Sequence, residues 1–150
     1  MRAYRLVKAK HAVDAFNGEG ARVYAGRWNA PGIPMVYAAQ SRALATMETL
    51  VHTLGADRRL QYVMYEIEIP DRLIETFPPS GLPRDSQNLV PPPSLQALGT
   101  VWQQSRRSAA LLVPSALIRE ECCVLLNPEH PGTADISIHY PVPFEFDGRL

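Results

Sequence analysis

Four side chains in this sequence have a type and setting suited to chemistry. Arg27 lies in Gly26-Arg27-Trp28-Asn29, a Gly-rich segment with an aromatic beside the cation. A guanidinium there can fork onto two oxygens of a phosphate or carboxylate while glycine lets the backbone come close. The other reading is a surface turn whose Trp28 packs on the core. Glu48 lies at the edge of a helical apolar stripe formed by Leu44, Met47, Leu50, Val51 and Leu54, with His52 one turn beyond. A half-buried carboxylate is paired or used, so the alternatives are an ion pair with an arginine or a side chain turned to solvent. Tyr37 interrupts Met35-Val36-Tyr37-Ala38-Ala39, where small neighbours leave room for a flat ring, although a core tyrosine with one hydrogen bond fits as well. Ser115 follows a strand in Val113-Pro114-Ser115-Ala116 without a GxSxG elbow. Its hydroxyl either bonds a ligand or caps a turn.

Other motifs read as structure. Glu66-Ile67-Glu68 has the spacing of the acidic motif of arginine-directed ADP-ribosyltransferases, but it sits on an alternating strand whose polar face explains it. Asn127-Pro128-Glu129-His130-Pro131 is a turn by composition. Pro91-Pro92-Pro93 is a rigid loop or a polyproline ligand. Cys122 and Cys123 are adjacent, so on a strand they point to opposite faces and a disulfide between them would be strained. With no further cysteine, and with four histidines in neither HxxxH nor HxH spacing, no metal site is expected.

The elements that position these groups follow from periodicity. Strands are expected at 3–7, 33–39, 61–69, 111–113, 122–126 and 136–140. Helices are expected from a Ser41 cap to Leu54, with Gly55 as stop, and from a Ser94 cap to Arg106, with Leu95, Leu98, Val101 and Trp102 inward. Between them run a Gly-rich irregular stretch from Asn17 to Pro34 and a surface excursion over 77–93 holding six prolines. Strands and helices out of strict alternation imply one α+β domain over 1–150.

Composition bounds the function. The 150 residues are 46% hydrophobic and 20% charged, which excludes disorder and a coiled coil. Lys+Arg and Asp+Glu number 15 each, which argues against direct nucleic-acid binding, since that needs surplus cations. No apolar run approaches the roughly 20 residues of a membrane helix, and the start carries no signal-peptide pattern. The cytoplasm is the expected location.

In order, the motifs resemble the RES domain family, the toxin half of bacterial RES–Xre toxin–antitoxin modules. Tyr4-Arg5, Gly20-Ala21-Arg22, Gly26-Arg27-Trp28-Asn29, Val36-Tyr37-Ala38, Ala43-Leu44-Ala45-x-x-Glu48, Leu50-Val51-His52, Val113-Pro114-Ser115 and Asn127-Pro128-x-His130-Pro131 carry the resemblance. It implies a mixed β core similar to that of ADP-ribosyltransferases, with NAD+ in a cleft as substrate and no cofactor. The activity implied is cleavage of the nicotinamide–ribose bond, with water, phosphate or a protein side chain as acceptor. Arg27, Glu48 and Ser115 would be the family's Arg, Glu and Ser. Tyr37 would wall the nicotinamide in preference to Tyr24 and Trp28, and Arg5 would be a second cation for the pyrophosphate. Asn29 and His52 complete the implied NAD-binding set, and Ser115 would bond the nicotinamide amide or ribose. The implied partner is an Xre-type antitoxin covering the cleft, with a homodimer or larger complex left open. Two departures stand out: Ala25 replaces the glycine that usually precedes Gly26, and 77–93 is variable. The alternatives are an ADP-ribosyltransferase acting on a protein and a non-enzymatic α+β binding module.

Overall fold

A computed structural model of the chain describes residues 1–53 and 55–150, so Leu54 lies outside it. The elements run β1 (Arg2–Lys8), α1 (Glu19–Val23), β2 (Val36–Ala39), α2 (Arg42–Leu50), β3 (Tyr62–Glu68) and β4 (Ile74–Thr76). They continue with α3 (Pro93–Ser105), β5 (Ala110–Pro114), β6 (Cys122–Leu126), β7 (Ser137–Ile138) and β8 (Val142–Phe144). One mixed sheet holds all the strands in the order β4-β5-β6-β2-β1-β3-β7, with β8 also on β3. The β4–β5 pair is parallel and the other pairings are antiparallel. This is an α+β fold.

Alternation along the strands gives the sheet two buried faces. On one face Ala3, Val36, Ala38, Ile67, Val124 and Leu126 pack together, with Phe16 at the margin. The other face carries both longer helices. Leu95 and Trp102 of α3 pack with Leu111, Val113 and Leu125, and Leu44 and Ala45 of α2 pack with Leu6, Tyr62 and Met64. The two helices therefore cover different halves of this face and leave a seam over β6 and β2.

The sheet is not evenly sewn. β1 and β3 are in register from Arg2↔Glu68 to Lys8↔Tyr62, whereas β1 meets β2 only at Tyr4↔Ala39. Arg5 fills the opening, its guanidinium donating to the carbonyls of Ala15 and Tyr37. Burial lowers its pKa to about 10, still protonated at neutral pH.

Several expectations need correction. The first long helix ends at Leu50 rather than Leu54, because His52 and Thr53 bond three residues back and the Thr53 hydroxyl takes the Thr49 carbonyl. It lies on the sheet through Leu44 and Ala45, so Met47 and Val51 are exposed; counting apolar residues gave weight to Met47, where the small Ala45 actually allows close approach. The second helix starts at Pro93 without a side-chain cap. Val101 is 60% exposed, while Gly99 and Gln103 take inward positions. The irregular 17–34 stretch contains α1, and the strands β4 and β8 were not anticipated. The 33–39 strand begins at Val36, and the 136–140 strand shrinks to two residues.

Candidate active site

The seam between α2 and α3 is where the chemistry-bearing side chains meet. Glu48 points inward from α2, one turn after Leu44. Its Oε1 accepts from Ser115 Oγ at 2.8 Å and from Cys123 Sγ at 3.2 Å. Both donors converge on one oxygen. Among the described residues no donor bonds Oε2, and none of their enclosed side-chain polar atoms lacks a partner, so Oε2 is not sealed within the fold. No cationic side chain pairs with Glu48 among the described residues.

Ser115 is 1% exposed and follows β5 directly. Its oxygen accepts from the amides of Leu117 and Ile118, closing the turn toward β6. With both lone pairs taken, its one proton goes to Glu48. The hydroxyl thus caps a turn and holds a carboxylate at once, and it meets Glu48 rather than open space.

The Arg27 loop is built by its neighbours. Asn29 is fully buried; its amide nitrogen donates to Ala21, Ala30 and Ile33 carbonyls, and its oxygen accepts from Gly26 N and the Tyr37 hydroxyl. Tyr37 Oη in turn accepts from Trp28 N at 3.1 Å. Burial pushes the Tyr37 hydroxyl pKa well up, opposed by the Trp28 amide. A Cβ on Gly26 would lie 2.5 Å from Tyr37 Oη, so its glycine serves an approach to Tyr37 rather than to a ligand. From α3, Gln96 donates to Gly26 O and Thr100 accepts from Ala30 N. A Cβ on Gly99 would stand 1.9 Å from Trp28 O.

Arg27 itself extends half-buried to the Pro-rich excursion, donating to the carbonyls of Ser86 and Asn88. Arg27, Leu82, Ser86, Pro114 and Ser115 line a cavity of only ≈ 10 Å³, room for about one water. The excursion therefore lies across the mouth of the seam.

Of the residues singled out in the sequence, Glu48 and Ser115 are in contact, Arg27 shares a cavity wall with Ser115, and Tyr37 supports the Arg27 loop. Trp28 is 4% exposed and packs edge-on against Phe77, a core role. Asn29 is a loop knot. Tyr24 is 79% exposed and His52 is exposed at the end of α2. Arg5 points from the sheet face opposite Glu48 and donates to two carbonyls, because alternation on β1 puts Tyr4 and Leu6, not Arg5, under α2. Cys123 and the helix positions Gln96, Gly99 and Thr100 escaped sequence reasoning, although a glycine inside an apolar helix was a signal of close packing.

Outside the seam, Glu66, Glu68 and His139 bring three donor atoms within 4.8 Å. Arg2 contacts both carboxylates, Arg42 pairs with Glu66 and His139 lies against Glu68, so cations already balance this surface group. His130 Nδ1 accepts from Gly132 N and caps a turn. No helix among the described residues is long and apolar enough to cross a membrane.

Comparison with known proteins agrees with this architecture. The RES domain family matches residues 2–147. "Toxin Res" of Yersinia enterocolitica (serotype O:8 / biotype 1B) is 36% identical over 151 residues, covering 100% of this chain and 99% of that one. "Prs ADP-ribosylating toxin" of Sphingobium sp. (strain YBL2) is 37% identical over 143 residues, covering 93% and 89%. In the crystal structure of the M. tuberculosis MbcT–MbcA toxin–antitoxin complex, one chain matches with a TM-score of 0.76 at 24% identity, over 96% of this chain and 84% of that one. That likeness shows a shared fold.

Proposed function

The chain belongs to the RES domain family, and from that premise we propose that it is the toxin of a toxin–antitoxin pair and acts by cleaving the nicotinamide–ribose bond of NAD+. The observation that carries this reading is Glu48, a carboxylate at the seam fixed through Oε1 by Ser115 and Cys123, with Oε2 open. Departure of nicotinamide leaves positive charge on the ribosyl carbon and ring oxygen, as in glycoside hydrolysis. A carboxylate held in place, without a counter-ion, stabilises that charge as it develops.

Arg27 suits the diphosphate. Its fork now rests on two neutral carbonyls, and charge-assisted bonds to phosphate oxygens are stronger than those. A dinucleotide cannot fit a cavity of ≈ 10 Å³, so binding in this reading exchanges the carbonyls of Ser86 and Asn88 for phosphate and displaces the excursion. NAD+ is a substrate in this reading, with no resident cofactor. The partner is an antitoxin of Xre type lying over the seam, and the pair resides in the cytoplasm.

Incubating purified chain with NAD+, wild type beside Glu48→Gln and with or without phosphate, tests the reading. Loss in the wild type alone supports it. The product names the acceptor: ADP-ribose for water, its phosphate ester for inorganic phosphate. No loss from either protein overturns it. The 37% identity to a protein named ADP-ribosylating toxin favours a second reading, transfer to a protein side chain. Label passing from NAD+ to a macromolecule distinguishes it, and the absence of both activities leaves a binding module.

A further inference from the structure

Cys123 is the second donor on Glu48, and nothing in the reading above requires it to be a cysteine. Its position is tightly set. On β6 it is paired with Ala39 of β2 on one side and Val113 of β5 on the other, two residues before Ser115. Its side chain packs against both the α3-covered and the α2-covered cluster, on the seam itself. Burial, then the Glu48 charge, pushes its thiol pKa well above the ordinary 9.0. At neutral pH it is a hydrogen-bond donor and not a nucleophile.

Resting on the reading that Glu48 faces the ribosyl centre, we propose that Cys123 is a positioning residue for that carboxylate. Its S–H and the Ser115 O–H together clamp Oε1, which turns Oε2 outward. Ser115 alone allows the carboxylate to swing about a single bond; the sulfur, arriving from the neighbouring strand, removes that freedom.

The test crosses two substitutions. Cys123→Ser keeps a donor and loses apolar volume, whereas Cys123→Val keeps volume and loses the donor. A positioning role makes the Ser variant the faster. The Val variant is expected to lose about ten-fold in kcat with KM little changed. A packing role gives the opposite order, which overturns the proposal. A second measurement needs no substitution of Cys123. In the Cys122→Ser protein the infrared S–H band reports Cys123 alone. A band shifted to lower frequency, and relaxed by Glu48→Ala, supports the contact; a free-thiol band overturns it whatever the kinetics show. If the wild type consumes no NAD+, the functional reading falls and this proposal with it. If it does, and the Val variant matches the Ser variant, only the proposal falls.

Discussion

Glu48 and Ser115 stand 67 positions apart in the chain and 2.8 Å apart in space, and the bond between them also ties α2 to the turn after β5. Ser115 is saturated: two amides donate to its oxygen and its proton is spent on Glu48. Ser115→Ala is therefore expected to cost in two currencies at once. NAD+ consumption should fall by about ten- to a hundred-fold, and stability should fall by about 1–2 kcal/mol as Glu48 and two amides lose a partner. Initial rates and urea midpoints measured on the same preparation check this.

Glu48→Gln separates the two effects. The amide keeps an acceptor for Ser115 and Cys123 but carries no charge, so the rate should drop about a hundred-fold or more, with the urea midpoint unchanged or raised. A lowered midpoint with residual full activity would place the carboxylate in the scaffold instead.

Arg27→Lys keeps a cation and loses the fork that spans the carbonyls of Ser86 and Asn88. A lysine ammonium is not a substitute at a two-point site. KM for NAD+ should rise about ten-fold, and amide hydrogen exchange over 82–90 should quicken because the excursion has lost its anchor.

Gly99→Ala should be among the most damaging single changes outside the cleft. The added carbon would sit 1.9 Å from a backbone oxygen of Trp28, and backbone cannot give way as a side-chain tip does. A loss of about 2–3 kcal/mol is expected from overpacking, read from the urea midpoint, with activity falling in step because α3 carries the Arg27 loop.

Alkali should weaken the fold. The Cys123 thiol has its pKa raised by burial above the ordinary 9.0, and the Tyr37 hydroxyl above 10.0. For each group the folded state holds its proton more tightly, so its contribution is fully present below those ordinary values and is lost as pH climbs past them. Urea midpoints should decline from about pH 9 upward, and the decline should be shallower in Cys123→Val.

Much of this architecture could be read from the residues. Cys122–Leu126 was bounded correctly because an apolar β-rich run between polar residues has one reading, and Ser115 was placed after its strand for the same reason. Glu48 is legible from its place at the edge of the apolar stripe and from the family resemblance. The errors share a cause. Met47 and Val51 count as apolar in any periodicity, but which side of α2 meets the sheet depends on Ala45 fitting closely over Leu6 and Met64, a tertiary fact. Arg5 has its expected ligand role from the family resemblance alone, and no local pattern shows that β1 and β2 part company after one register pair, where its side chain lies. Cys123 was judged only by its neighbour Cys122, whereas its partner arrives from a helix 75 positions earlier.

One arrangement described above reaches further than its hydrogen bonds. Arg27 leans on carbonyl dipoles, and Glu48 on a hydroxyl and a thiol; among the described residues neither charge is cancelled by an opposite one. The chain carries no net charge, yet its seam holds a bare cation and a bare anion. NAD+ has the complementary polarity, a negative diphosphate and a positive nicotinamide ring. Two isolated charges in a partly desolvated groove form a local dipole that acts on such a molecule before any contact is made. If NAD+ is the substrate, as proposed, that field would favour the orientation with phosphates toward Arg27 and ring toward Glu48. On the proposed reading, a neutral reduced nicotinamide ring would lose its attraction to Glu48, so NADH is expected to bind more weakly than NAD+, which a competition measurement against NAD+ consumption checks.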